Sequence, residues 1–327
     1  MAHLWATGRA TGHPRLRAPI LSRVRRLLAG LSVCACRTTP VVEAPSVTVS
    51  FDAAKLLADT ADLLQVPRTL GDPNRAQGIA ELSARLEAMG ATVHTQAFTG
   101  HDPLDGSPVP LTNIFGVVRP GAPHQFVLAT HYDIRPWAES DPDPGRHDEP
   151  IPGANDGTSG VAVLLALLPV LRDALNEEAG FTIAFFDGEE LGRPDHGGYC
   201  AGSMYFAEHI EDAPGSMAQS EFGIVLDMVG DAELTIAREP NSVRQNAVLV
   251  ERLWESAGLL GERAFVDATY PYSITDDHVF LSRAGIPSVL LIDYDYDAWH
   301  THADDLDRVS GESMASVARV VFNTLTQ

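Results

Sequence analysis

The stretch Phe181-Thr-Ile-Ala-Phe-Phe-Asp-Gly-Glu-Glu190 decides the fold of this chain. Its first six residues are apolar or β-branched, a composition typical of a strand buried on both faces of a parallel sheet. Three carboxylates follow at once. Because burying them beside such a strand is costly without a compensating cation, the turn predicts a site in which one acid binds a metal and another moves protons. An exposed acidic turn is the alternative for this stretch taken alone.

Strand and helix patterns alternate on both sides of this segment. Two amphipathic helices are expected first, at 52–65 and 73–89, and then two strands at 92–98 and 112–118 that form an antiparallel pair. The later elements are expected as strands at 125–130, 181–186, 222–228, 263–267 and 287–292, alternating with helices at 158–173, 202–210, 243–258, 277–284 and 311–325. This order predicts a three-layer α/β/α sandwich with a mixed, mostly parallel central sheet, in one domain over residues 51–327.

The amino terminus differs in composition from the rest of the chain. Residues 1–36 contain six Arg and no acid, and a short apolar run leads to Val33-Cys-Ala-Cys36. This pattern resembles a bacterial lipoprotein signal peptide, with lipidation at Cys36 and a Thr-, Pro- and Ser-containing tether over residues 37–50. It predicts an extracytoplasmic protein, periplasmic or anchored to a bacterial membrane by lipid. A basic leader without that role is the alternative.

Charge and cysteine content exclude several classes of function. Without residues 1–36, the chain contains 17 Lys and Arg and 44 Asp and Glu, which gives a formal net charge of −27. So acidic a body is unsuited to nucleic acid or to an anionic membrane surface. Only Cys200 would remain of three cysteines, so the chain has no disulfide framework. We also expect the chain to be a monomer.

Chemically active side chains follow the predicted strands at their carboxyl ends, where open α/β sheets bind ligands. They are His131, Asp133, Asp156, Asp187, Glu189, Glu190, Asp227, His278 and His300. Carboxylates and imidazoles without thiolates suit a catalytic zinc, with three protein ligands leaving one position open. Individually, His131 and His278 are also compatible with core histidines, and Asp156 with a helix N-cap.

Five segments carry a resemblance to a known family across residues 55–325. They are the stretch from His131 to Pro144, Phe186-Asp-Gly-Glu-Glu190, Leu226-Asp-Met-Val-Gly230, Ile274-Thr-Asp-Asp-His278 and Trp299-His-Thr301. As a set they resemble the zinc-dependent glutaminyl cyclases of the animal and bacterial type, within the zinc aminopeptidase superfamily. The resemblance implies that the chain converts the N-terminal Gln of peptides or proteins to pyroglutamate with release of ammonia.

The same resemblance implies a role for individual residues. Asp156, Glu190 and His300 would bind one zinc ion. Glu189 would shuttle a proton, with Asp227 and Asp276 as a hydrogen-bonded acidic group beside it. Trp299 would form a wall of the substrate pocket. Arg135 and Trp137 follow closely after His131 and are candidates for substrate contact, although packing explains Trp137 equally well.

Two other functions compete with this interpretation. In a two-zinc aminopeptidase, His131 and Asp227 would hold a second metal with Asp156 as the bridge, and Glu189 would activate water. The sequence does not exclude two metal ions. A catalytically silent binding domain is the third hypothesis, but such a domain has no need of Asp156, Glu189, Glu190 and His300 together.

Overall fold

A computed structural model describes residues 49–327, and its secondary structure follows the predicted alternation. The helices are α1 (Ala53–Leu63), α2 (Arg75–Ala88), α3 (Ser159–Ala174), α4 (Ala201–Glu208), α5 (Pro240–Leu260, with non-helical backbone at Asn246), α6 (Asp277–Arg283) and α7 (Gly311–Thr326). The strands are β1 (Thr92–His101), β2 (Pro108–Val118), β3 (His124–His131), β4 (Ala179–Phe186), β5 (Phe222–Asp227), β6 (Ile236–Arg238), β7 (Phe265–Thr269) and β8 (Ser288–Ile292). The predicted signal peptide over residues 1–36 and the lipidation at Cys36 lie outside the described residues, so they stay predictions.

Six strands form one sheet in the order β1-β2-β4-β3-β5-β8. The antiparallel pairing of β1 with β2 is confirmed, and β2 also runs antiparallel to β4. The other three pairings, β3 with β4, β3 with β5 and β5 with β8, are parallel. The predicted mixed, mostly parallel sheet is therefore confirmed, and the carboxyl ends of four strands lie at one edge.

The decisive strand β4 is buried on both faces, as its composition predicts. Phe181, Ile183 and Phe185 pack into the core beneath α1, α2, α3, α5 and α7. Ala184 and Phe186 point to the opposite core, which α4 and α6 cover. Alternate side chains of one strand thus join two helical layers through the sheet, since successive residues of a strand face opposite sides.

One predicted strand takes a different place. The expected strand at 263–267 is β7, and it pairs in parallel with β6 in a separate two-stranded sheet. β6 is only three residues long and was not predicted. An apolar pattern indicates a strand but does not identify its partner, which explains why β7 was expected in the central sheet. No helix within residues 49–327 is long and apolar enough to cross a membrane.

Candidate metal centre and active site

The ends of three neighbouring parallel strands bring the predicted site residues together. β3 ends at His131, β4 leads into Glu189 and Glu190, and β5 ends at Asp227. Asp156 comes from the segment before α3, where Thr158 and not Asp156 occupies the N-cap position. His300 comes from the loop after β8. The helix-cap alternative for Asp156 is therefore not what the structure shows.

One group of three ligand atoms comes from Asp156, Glu190 and His300, all within 4.8 Å of one another. His300 Nε2 lies 3.5 Å from Glu190 Oε2 and 3.7 Å from Asp156 Oδ2. Asp156 Oδ2 is buried without a hydrogen-bond partner. A buried carboxylate oxygen left unpaired beside an imidazole nitrogen and a second carboxylate is what a metal ion would satisfy.

His300 is held in the orientation that a ligand needs. Its Nδ1 lies 2.7 Å from Glu139 Oε1, which assigns the proton to Nδ1 and leaves Nε2 facing the two other ligands. The backbone of His300 has φ +55°, a left-handed conformation that is uncommon for a non-glycine residue. The surrounding contacts therefore maintain a local strain at this residue.

Two buried aspartates fix the backbone turns that carry the ligands. The carboxylate of Asp133 accepts hydrogen bonds from the backbone N–H groups of Glu189 and Glu190, at 3.2 and 3.0 Å. Asp304 accepts from the backbone N–H groups of Asn155 and Asp156, at 2.8 and 3.1 Å. Each aspartate positions a ligand through its main chain, without touching the ligand's carboxylate.

His131 lies at the centre of a second group, with Asp156 and Asp227. Its Nε2 is 3.2 Å from an oxygen of each aspartate. His131 is buried and contacts carboxylates, so it is not a histidine packed only in an apolar core. This second group matches the place where the two-metal hypothesis puts its additional ion.

Glu189 and Glu190 have different surroundings although they are neighbours in sequence. Burial and the charge of Glu190 raise the pKa of Glu189 well above its ordinary value. Burial alone would raise the pKa of Glu190 too, but His300 and Arg135 outweigh it and hold that pKa well below the ordinary value. Glu189 also accepts a hydrogen bond from the buried Cys200 thiol at 3.2 Å.

Asp227 and Asp276 line the same cavity as Glu189. The expected hydrogen bond between the two aspartates is not found among the described residues. Asp227 faces His131 instead, and the Asp276 carboxylate accepts from the backbone N–H of Asp277. Burial and the charge of Asp227 raise the pKa of Asp276 well above its ordinary value, because two close carboxylates resist a second negative charge.

A cavity of about 370 Å³ opens beside the metal-binding group. Its lining residues include Glu189, Tyr199, Ile274, Tyr294 and Trp299. Trp299 is 40% exposed, and its ring stacks on His300 with the centroids 3.6 Å apart. The predicted pocket residue Trp299 thus lies between the metal ligand and the solvent-facing rim.

Sequence reasoning missed the structural role of Arg135 and did not identify Glu139 as a site residue. Arg135, expected as a substrate contact, is fully buried and contacts Glu190, Glu139 and Tyr199. Glu139 was overlooked because it lies in the long connection after β3, where no periodic pattern applies. The sequence signal for it was the pair of opposite charges four residues apart in Arg135-Pro-Trp-Ala-Glu139.

The electrostatics of the site indicate a shortage of positive charge. Burial and the charge of Glu190 raise the pKa of Asp156 well above its ordinary value. Burial alone would lower the pKa of His300, but Glu190 and Glu139 outweigh it and raise the pKa to about 9. Asp156 and His300 thus both favour their protonated forms, and a bound divalent cation would favour the deprotonated forms that ligate it. The residues present therefore fit a metal ion.

A family model for peptidase family M28 matches residues 113–325, about two thirds of the chain and all the site residues described above. The chain belongs to peptidase family M28. This M28 chain is also 27% identical over 287 residues to the glutaminyl-peptide cyclotransferase-like protein of Bos taurus. That alignment covers 79% of this chain and 71% of the bovine protein.

Two solved structures show the same fold. The glutaminyl cyclase of Porphyromonas gingivalis superposes with a TM-score of 0.78 at 30% identity, covering 85% of this M28 chain and 99% of the other. A Zn-dependent exopeptidase of Parabacteroides distasonis superposes with a TM-score of 0.79, also at 30% identity, with coverage of 85% and 99%. The resemblance drawn from the five sequence segments is confirmed, as is the zinc aminopeptidase-like fold.

Proposed function

We propose that this chain is a zinc-dependent glutaminyl-peptide cyclotransferase, which converts the N-terminal Gln of peptides or proteins to pyroglutamate and releases ammonia. The observation that carries the proposal is the buried group Asp156, Glu190 and His300 beside Glu189, in a cavity walled by Trp299. The similarity to glutaminyl cyclases over most of the chain supports the same activity.

Asp156, Glu190 and His300 would hold one zinc ion through two carboxylate oxygens and Nε2. Three protein ligands leave a coordination position free, as in catalytic zinc sites. When bound, zinc would supply Lewis-acid polarisation of the γ-carboxamide oxygen of the substrate. Everything else in the reaction is assigned to the side chains of this chain and to the substrate itself.

Glu189 is the proton carrier in this proposal. The α-amine nitrogen of the N-terminal Gln forms a bond to the γ-carboxamide carbon, and the bond from that carbon to the amide nitrogen breaks. Glu189 accepts the proton that the amine loses and gives a proton to the departing ammonia, so it ends unchanged. No covalent bond to the protein forms.

In this proposal the cavity binds the N-terminal Gln in a folded conformation, with its α-amine close to its side-chain carboxamide. The Gln side chain must fold back so that its carboxamide carbon meets its own amine, and fixing that conformation removes most of the entropy cost of cyclisation. A volume of about 370 Å³ is at the small end for ligand pockets, which suits one residue rather than a long segment. Trp299 offers a flat apolar face to that residue.

Release of ammonia tests the proposal. A peptide with N-terminal Gln should yield ammonia with the zinc-loaded chain, lose that activity after chelation, and regain it on addition of zinc. A peptide in which Glu replaces the N-terminal Gln should yield none. Chelator-resistant ammonia release would contradict a metal-dependent mechanism.

The second candidate is a two-zinc aminopeptidase, and the group His131, Asp156 and Asp227 is the observation that favours it. In that enzyme Glu189 would remove a proton from water rather than from an amine. Metal analysis of the purified chain separates the candidates, because the cyclase proposal expects one zinc per chain. Two tightly bound ions, together with removal of N-terminal residues, would favour the peptidase.

We further propose that residues 1–36 direct the chain out of the cytoplasm and that Cys36 becomes its lipid-bearing amino terminus. The basic n-region and the Val33-Cys-Ala-Cys36 run support this proposal. Mass spectrometry of the mature amino terminus should find a lipidated Cys36, and the change Cys36→Ser should abolish lipidation. A mature chain that keeps Met1 would contradict the proposal.

A further inference from the structure

Arg135 joins the metal-binding group to the loop that follows β3. Its side chain is fully buried, and Nη1 donates to Glu190 Oε2 at 2.6 Å. Nε donates to Glu139 Oε2 at 2.8 Å, and Nη2 donates to Glu139 Oε1. One guanidinium therefore bridges two carboxylates through three nitrogens, and its planar fork binds Glu139 in a bidentate geometry that a lysine ammonium does not reproduce.

Glu139 extends this bridge to a second metal ligand. The oxygen Oε1 that accepts from Arg135 also lies 2.7 Å from His300 Nδ1. A carboxylate at Nδ1 keeps the proton there, so that the lone pair of Nε2 faces Asp156 and Glu190. Arg135 is thus in direct contact with one metal ligand and is one residue removed from another.

The charges explain why Arg135 is needed for this geometry. The side chain of Glu139 is only 22% exposed, and that of Glu190 is 3% exposed. If Arg135 were absent, two largely buried carboxylates would lose their shared cation, and Glu139 would gain by turning toward solvent. That rotation removes the acceptor that orients His300.

We propose that Arg135 is a positioning residue that sets two of the three metal ligands, Glu190 directly and His300 through Glu139. The inference rests on the proposed function only for the ligand group Asp156, Glu190 and His300. It predicts that loss of Arg135 weakens zinc binding about 10- to 100-fold, the range typical of residues that orient metal ligands.

The test measures the zinc dissociation constant by competition with a chromophoric zinc chelator, so it does not depend on which reaction the chain catalyses. Arg135→Gln should raise that constant about 10- to 100-fold. Arg135→Lys should recover part of the loss, because an ammonium keeps the positive charge but not the planar, bidentate contact with Glu139.

Arg193 provides a matched control. Its guanidinium lies 3.3 Å from the centroid of the Trp137 ring, and Arg135 lies 5.3 Å from that same ring. Among residues 49–327, the ion-pair partner of Arg193 is Asp102, which is not one of the three proposed zinc ligands. Arg193→Gln should therefore leave the zinc dissociation constant within about twofold of the wild-type value, whatever it does to the melting temperature of the apo-protein.

Glu139→Gln keeps the inference testable if Arg135→Gln does not fold. The amide keeps one acceptor oxygen, but its NH₂ group would face Arg135 or His300, which are donors themselves. One of these two contacts is lost, so zinc binding should weaken here as well. In the double variant the effects should be less than additive, because both residues act on His300 through one path. Folded Arg135→Gln and Glu139→Gln variants that bind zinc as tightly as the wild type would overturn the inference alone. A wild-type chain that binds no zinc would overturn the proposed function and this inference with it.

Discussion

At the scale of single residues, the site depends on two adjacent glutamates with different partners. Glu190 contacts Arg135 and His300, both of which favour its charged form. Glu189 lines the open cavity and has the Cys200 thiol as its side-chain partner. A pair of carboxylates whose surroundings separate their proton affinities is a recurring arrangement for assigning different roles to two acids.

The change Glu189→Gln should reduce turnover by a factor of about 100 to 10,000, the usual contribution of a positioned general base, because the amide cannot accept the proton. Zinc content should stay at the wild-type level, since Glu189 is outside the ligand group Asp156, Glu190 and His300. The measurement is kcat together with zinc per chain. Glu211→Gln, at an exposed position, is the control that should match the wild type. Retained turnover in Glu189→Gln would remove Glu189 from the mechanism.

Trp299 supplies the second prediction at this scale. Trp299→Ala should raise KM for a peptide with N-terminal Gln about tenfold or more, which corresponds to about 1.4 kcal/mol of lost binding. Trp299→Phe should have a smaller effect because it keeps a flat apolar face. Separate measurement of kcat and KM, with zinc content checked in each variant, decides the matter. A KM that is the same in all three proteins would show that the Gln residue does not contact Trp299.

At the scale of elements, the ligands stand on turns whose backbone is fixed by buried acids. Gly188, which leads from β4 into the Glu189–Leu191 3₁₀ turn, has φ +70°, and a Cβ there would lie 2.7 Å from Leu111 Cδ1. A glycine is therefore favoured between Asp187 and Glu189, since a side chain there would be strained and would displace Leu111. Asp133 then binds the next two backbone N–H groups. The turn is defined by one glycine and one aspartate from the neighbouring strand end.

Asp133→Asn should destabilise the chain by about 1 to 3 kcal/mol, because an amide has one acceptor oxygen for two backbone N–H groups, one buried and one partly buried, and leaves one unpaired. Urea unfolding monitored by circular dichroism measures the loss. Asp143 gives a control, since it accepts one backbone N–H, from Gly145, at an exposed position. Asp143→Asn should cost well under half as much, and equal losses in the two variants would contradict the assigned role of Asp133.

Most elements of regular structure were predictable from the sequence, and most side-chain contacts within the long connections were not. The run Phe181–Phe186 identified β4, and the carboxyl ends of β3, β4 and β5 located His131, Glu190 and Asp227. Periodicity reports which face of an element is apolar, so it says nothing about Glu139 and Asp304, which lie in irregular segments. Their contacts depend on the path of the chain across the sheet edge.

At the scale of the whole molecule, the buried side chain of Glu239 contacts α5, α6 and the segment between β7 and α6. It is 1% exposed and accepts from the backbone N–H groups of Asn241 and Ser242 at the start of α5. It also accepts from the N–H of Ile274, a residue of the cavity wall, and lies 3.2 Å from His278 Nε2 in α6. A single buried carboxylate thus links two helices to the wall of the proposed substrate pocket.

Glu239 also makes stability depend on pH. Burial alone would raise the pKa of Glu239, but the hydrogen bonds from His278 and from the three backbone N–H groups lower it to about 2. A folded-state pKa below the unfolded value near 4.5 means that the stabilisation is present above pH 4.5 and is lost as the pH falls toward 2. We expect the difference in unfolding free energy between wild type and Glu239→Gln to shrink from pH 5 to pH 3. A constant difference over that interval would show that Glu239 is not an ionised acceptor in the folded state.

The most direct test of the proposed function is mass spectrometry of a short peptide whose N-terminal Gln carries ¹⁵N in its side-chain amide. Incubated with the zinc-loaded chain, the peptide should keep every residue and lose one ammonia that contains the label, and a chelator should prevent the loss. Release of intact labelled Gln, with the peptide shortened by one residue, would contradict the cyclase account. His131 and Asp227 would then be assigned to a second zinc ion in an aminopeptidase.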